Sequence, residues 1–215
     1  MGREFIKLFE DWADSYDSSV SGEDPQYAAV FQHYDKILDE VARYSSGNVM
    51  EFGVGTGNLT LKLLKNSEKV FGIEPSSAMR KIAAEKLPEL SLYEGDFLSF
   101  PRFDDKMDTV VSTYAFHHLT DTEKDKAISG FTKLLTDKGK VVFADTMFES
   151  VVAKEAIITA AEEKGYKDLV EDLNREYYPY ISTLQELFEK NDFHVSFKRM
   201  NTFVWLVIAK KNRGV

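Results

Sequence analysis

Three glycines at alternate positions, Gly53, Gly55 and Gly57, follow the acid Glu51 at the end of a short apolar run. Glycine serves where backbone must take a positive φ or approach a ligand with no Cβ in the way. An acid two residues before the first glycine favours a ligand that presents donor or cationic groups over one that presents phosphate. The pyrophosphate fingerprint is G-x-G-x-x-G; here the spacing is G-x-G-x-G, and Asn58 stands where its third glycine would be. A glycine-rich turn with no ligand would read the same way from these residues alone.

Further chemistry-bearing residues recur at strand ends. The run 69–74 closes on Glu74, an acid able to accept hydrogen bonds from both hydroxyls of a ribose. Hydrogen bonds to a charged group contribute about 1.5–3 kcal/mol each, enough to select a nucleoside. The run 90–94 leads into Gly95-Asp96-Phe97, where Asp96 can accept from an exocyclic amine. The run 107–112 ends at Ser112 and continues to the adjacent His117 and His118. A histidine near its ordinary pKa can act as a general base, so His117 is a candidate, with a structural histidine as the alternative. Adjacent residues point in different directions from a helix or a strand, so at most one of the pair should face a substrate, and no metal site is read. Tyr177, Tyr178 and Tyr180 could line a pocket for a cationic or aromatic acceptor, or simply pack a helix onto the core.

The elements that must position these groups alternate. Apolar positions over 4–17 and over 24–44 recur at helical spacing. Strand and helix patterns then alternate through 48–146, which argues for a parallel sheet with right-handed crossovers. In such sheets ligands sit beyond the carboxyl ends of the strands. Helices are expected at 151–164, 167–175 and 182–191, the last with Ser182 as N-cap and Gln185 at N3. Two β-rich runs, 193–200 and 203–210, close the chain as a hairpin.

Composition bounds the partners. The 215 residues fit one domain, read as a helical cap (1–46), a cofactor-binding core (47–146), a helical lid (147–192) and a terminal hairpin (193–211). Lys+Arg 27 against Asp+Glu 36 gives a net charge of −9, a field that repels nucleic acid and anionic membranes. There are no cysteines, hence no disulfide, thiolate metal site or cysteine nucleophile. No signal segment or membrane-length apolar run is visible, so a cytoplasmic location is expected.

The series Glu51-x-Gly53-x-Gly55-x-Gly57, Glu74, Gly95-Asp96-Phe97 and His117-His118-Leu119 resembles the class I S-adenosylmethionine-dependent methyltransferases. The opening Phe9-Glu10-Asp11-Trp12-Ala13-Asp14-Ser15-Tyr16-Asp17 resembles the cap of small-molecule members. The whole pattern looks most like the YrrT group of bacterial methyltransferases, a likeness that implies no particular acceptor. The resemblance implies a Rossmann-like α/β fold, with a seven-stranded, mostly parallel sheet and an antiparallel last strand. It implies S-adenosylmethionine as cofactor, with Gly53, Gly55 and Gly57 under its methionine part and Glu51 orienting the ammonium. Glu74 would take the ribose, Asp96 the adenine amine and the Phe97 backbone a ring nitrogen; Ser112 and Tyr16 would complete the site. Met79 could pack on the adenine or belong to the core. The implied reaction is methyl transfer to a small molecule, by a monomer or weak homodimer. The rivals are a non-catalytic sensor of S-adenosylmethionine or S-adenosylhomocysteine, and a nicotinamide-dependent oxidoreductase.

Overall fold

A computed structural model describes residues 5–212. Its seven-stranded sheet has the order β3-β2-β1-β4-β5-β7-β6. The strands are β1 (Asn48–Phe52), β2 (Lys69–Glu74), β3 (Ser91–Glu94), β4 (Met107–Thr113), β5 (Leu135–Thr146), β6 (Phe193–Arg199) and β7 (Val204–Lys211). β1 pairs in parallel with β2 and β4, while β7 enters antiparallel between β5 and β6. The α/β class and the antiparallel ending expected from sequence are both present.

Adjacent residues along the inner strands belong to different apolar clusters. Met50, Val110 and Val141 join one cluster, whereas Val49, Val111 and Val142 join the other. Side chains alternate across a strand, so the sheet is buried on both faces. This is why these strands read as continuous apolar runs.

The N-terminal segment departs from the sequence reading. The expected helix over 4–17 is α1 (Ile6–Trp12), a 3-10 turn (Ala13–Ser15) and α2 (Tyr16–Val20), and its first residue, Glu4, lies outside the described residues. Helix was also expected from 24, but residues 24–33 form turns and α3 spans only Tyr34–Tyr44. His33 precedes it at φ 64, in the left-handed region, which ends the helical run there.

The remaining helices are α4 (Asn58–Leu63), α5 (Ser77–Lys86), α6 (Asp121–Leu134), α7 (Val151–Glu163), α8 (Lys167–Arg175) and α9 (Ile181–Lys190). Thr120 and Glu123 form a reciprocal capping box on α6. Ser182 is not the cap of α9: the helix starts one residue earlier, Tyr180 occupies the cap position, and no side chain caps it. A parallel bridge from Phe148 to Tyr180 fixes that start instead. No helix among the described residues is long and apolar enough to cross a membrane.

Candidate active site

The parallel register sets Phe52 beside Ile73, so β1 and β2 end together and release Gly53 next to Glu74. The turn is tied down at once: the Gly53 amide donates to the Ile73 carbonyl at 2.8 Å, and the Gly55 amide donates to Glu74 Oε2 at 2.8 Å. All three glycines have positive φ, at 74°, 57° and 87°. A Cβ on Gly53 would lie 2.8 Å from the Ala115 Cβ, and one on Gly57 2.9 Å from Leu87 Cδ1. A Cβ on Gly55 would meet nothing within 4 Å. Two glycines therefore allow close packing, and the third faces open space.

That space is a cleft lined by Gly53, Gly55, Glu74, Tyr16, His117 and Tyr178 among others. Trp12, Tyr27, Phe31 and Tyr114 add aromatic wall, and Met79 also reaches it. Glu51, Gly57 and Ser112 lie outside the lining. Glu51 is buried and accepts the Thr60 hydroxyl at 2.6 Å, bracing α4 beneath the turn. Ser112 Oγ donates to the Phe52 carbonyl at 2.8 Å and joins the ends of β4 and β1.

Asp96 lines a second depression with Ile6 and Pro75, the residue after Glu74. Its Oδ1 accepts the Leu98 and Ser99 amides at 2.8 and 2.9 Å, which shapes the turn after β3. The Phe97 ring is buried 5.1 Å from the Phe52 ring, within the core cluster that also holds Ile73 and Phe116. Glu74 accepts a second amide, from Ser76 at 2.8 Å. Burial raises the Glu74 carboxyl to about 7, although both amides pull the other way. Burial likewise raises Glu51 to about 8.

The N-terminal helices close over this ground through two acids. Glu10 accepts the Ser77 and Ala78 amides at 2.5 and 3.2 Å, capping α5 from outside. Asp17 accepts the Thr56 hydroxyl at 2.6 Å and the Asn58 amide side chain at 2.9 Å. Tyr16 stands between them, with its ring 5.1 Å from that of Trp12.

On the far side of β4, a 3-10 turn (Phe116–His118) presents both histidines. Asp145, at the end of β5, accepts the His117 amide at 2.9 Å and faces His117 Nδ1 at 2.5 Å. Glu176 lies 3.3 Å from His117 Nε2 and 3.9 Å from His118 Nδ1. Burial disfavours charge on His117, but Asp145 and Glu176 outweigh it and raise the ring to about 10. His118 is driven the other way, neutral, by burial and then by the His117 charge. Glu176 falls to about 2 because His117 outweighs its burial.

The segment around Glu176 is pinned to the turn. The Tyr177 amide donates to the His117 carbonyl at 3.1 Å, and the buried Lys124 ammonium donates to the Tyr177 carbonyl at 2.7 Å. The Tyr178 hydroxyl donates to Glu176, and its ring stacks on His117 at 4.8 Å. Of the three tyrosines singled out in the sequence, only Tyr178 lines the cleft; Tyr177 is exposed, and Tyr180 packs against the core cluster that contains Phe148. The two histidines do not diverge as adjacent residues of a regular helix or strand would. Their ring centroids are 4.0 Å apart and both face Glu176.

Residues 49–139 match the family model described as a methyltransferase domain. An uncharacterised methyltransferase of Oceanobacillus iheyensis is 58% identical over 211 residues, covering 98% of this chain and 99% of that one. The chain belongs to this methyltransferase family. Another member, from Bacillus mycoides, is 56% identical over 212 residues, covering 98% of this chain and all of its own. Among solved structures, a DhpI–S-adenosylhomocysteine complex superposes with a TM-score of 0.72 at 15% identity, covering 97% of this chain and 96% of that one. A Thermotoga maritima protein described as an S-adenosylmethionine-dependent methyltransferase, possible histamine N-methyltransferase, gives 0.69 at 17% identity, covering 97% and 100%. These likenesses establish the class I fold.

Asp145 and Glu176 were not singled out in the sequence. The available signal for Asp145 was an acid closing an otherwise apolar strand, the same signal that marked Glu74. Glu176 carried none, because its partner lies some sixty residues earlier in the chain.

Proposed function

We propose that this chain transfers the methyl group of S-adenosylmethionine to a small-molecule acceptor by in-line displacement. The supporting observation is the Glu74 carboxylate, which lines the cleft while holding the Gly55 amide. It sets an acid with spare lone pairs beside a glycine whose missing Cβ leaves room for a ligand. The residues fit the cofactor: Gly53 and Gly55 as floor for its methionine part, Glu74 for the ribose, Asp96 and the Phe97 amide for adenine. Glu51 acts through Thr60 on the turn, and Gly57 and Ser112 hold the turn and strand ends that form the floor. The cofactor supplies a methyl group on a sulfonium whose departing thioether is neutral.

The protein's task is then orientation and exclusion of water. Effective molarities for well-oriented groups correspond to about 7–11 kcal/mol. Trp12 and Tyr16 roof the cleft, and Tyr178 walls the acceptor side. His117 has both ring nitrogens against carboxylates, which favours a fixed positioning group over a general base. Tyr177 and Tyr180 serve through backbone and packing. With a net charge of −9 the acceptor is neither nucleic acid nor a membrane surface. The chain acts in the cytoplasm, as a monomer or weak homodimer.

A second reading, a non-catalytic sensor of S-adenosylmethionine or S-adenosylhomocysteine, draws on one observation: the histidine nearest a catalytic role is engaged on both ring nitrogens. Calorimetry with S-adenosylmethionine, S-adenosylhomocysteine and NAD tests the cofactor assignment. Micromolar binding of the first two and none of NAD is expected. Binding of NAD alone would overturn the reading.

A further inference from the structure

We propose that His117, His118 and Glu176 form a binding site for one divalent transition-metal ion, held by His117 Nε2, His118 Nδ1 and a Glu176 carboxylate oxygen. The donor atoms of the three side chains lie within 4.8 Å of one another, and all three residues are buried. Metal–nitrogen and metal–oxygen bonds of about 2.0–2.2 Å, at tetrahedral or octahedral angles, put neighbouring donors about 3–3.5 Å apart. His117 Nε2 and Glu176 already stand at 3.3 Å. That contact is to Oε2, and His118 Nδ1 stands 3.9 Å from the other oxygen, Oε1, so both oxygens or a turn of the carboxyl group would complete the site.

The independent observation is His118 Nδ1 itself. It is buried in a side chain only 3% exposed, has no hydrogen-bond partner, and faces Glu176. A buried nitrogen left without a partner carries its full desolvation cost, so its placement calls for a ligand. The surroundings are those of a metal centre. Metal-bound histidines commonly give their other ring nitrogen to a carboxylate, and ligating carboxylates are in turn hydrogen-bonded. Asp145 faces His117 Nδ1, and the Tyr178 hydroxyl donates to Glu176.

Two imidazoles and one carboxylate suit zinc, iron(II), cobalt or nickel better than magnesium or calcium, which take oxygen ligands. On binding, the ion takes the place of the proton between His117 Nε2 and Glu176, and that proton leaves to solvent. His117, His118 and Glu176 all line the cleft, so the open coordination positions face it. The role of the ion rests on the methyl-transfer reading: it fixes the acceptor by a lone-pair atom and makes a bound O–H, S–H or N–H more acidic.

The test is metal uptake by the full chain, read without turnover. Protein stripped with a chelator is titrated with Co²⁺ by visible absorbance and with Zn²⁺ by calorimetry, and metal content is measured after desalting. One equivalent per chain is expected, weakened roughly tenfold or more in His118→Ala and in Glu176→Gln. S-adenosylhomocysteine binding certifies the fold of each variant, and His118→Asn replaces the alanine variant should that binding be lost. No saturable uptake, or uptake equal to wild type in both variants, overturns the site. Uptake without any binding of S-adenosylhomocysteine leaves this site standing and overturns the methyl-transfer reading instead.

Discussion

The Glu74 carboxylate accepts the Gly55 amide at 2.8 Å, which joins the end of β2 to the glycine turn after β1. The same carboxylate accepts the Ser76 amide at 2.8 Å, so one side chain fixes the glycine turn and the start of α5. A ribose contact made by Glu74 would therefore come from a group already oriented.

Removing that group is expected to weaken cofactor binding. Glu74→Ala should cut S-adenosylhomocysteine affinity at least tenfold, about 1.4 kcal/mol, by calorimetry. Glu74→Gln keeps an acceptor for the turn and separates turn support from charge. Wild-type affinity in a folded alanine variant would end the ribose assignment.

Two buried carboxyls set a pH dependence. Burial raises Glu51 from 4.5 to about 8, with the Glu74 charge adding to the shift and the Thr60 bond opposing it. Glu74 rises to about 7. A carboxyl raised on folding binds its proton more tightly in the folded state. Its contribution is thus fully present below about 4.5 and is lost as pH rises through about 7 and then 8. Glu51→Gln, which keeps the Thr60 contact without the charge, should lose less melting temperature than wild type between about pH 6 and about pH 8.5. Parallel curves would contradict the assignment.

The cap should be separable from the sheet. Asp17→Ala removes the bonds to Thr56 and Asn58 and the 3.3 Å contact with Lys86. Faster proteolysis within residues 5–33 and severalfold weaker cofactor binding are expected, with little change in the melting of the core. A melting loss as large as that of a core truncation would show that the cap is integral to the sheet.

Asp145 supports His117 through two contacts. Asp145→Asn leaves a buried imidazolium short of one partner, a change that typically costs about 3–5 kcal/mol. Chemical denaturation measures it, and a loss under about 1 kcal/mol would assign the His117 charge to Glu176 alone.

The α/β class, the parallel core of the sheet and the terminal hairpin were legible because both sheet faces are buried and the strands read as apolar runs. The glycine turn and Glu74 were legible because they lie at strand ends close in sequence. The break at His33 was not, since the apolar spacing of Val30, Phe31 and Tyr34 continues through it while the backbone turns left-handed. Glu176 was hidden for another reason. Its meeting with His117 depends on the Tyr177 amide and the buried Lys124 pinning a distant segment, a tertiary arrangement without a local pattern.

Methyl transfer itself is tested most directly by incubating the protein with methyl-labelled S-adenosylmethionine and a small-molecule extract, then following label into products. Label entering a small-molecule product with wild type, and at a rate at least tenfold lower with Glu74→Ala at subsaturating cofactor, is the expected result. Micromolar cofactor binding with no label in any small-molecule fraction would contradict it and make the protein a sensor.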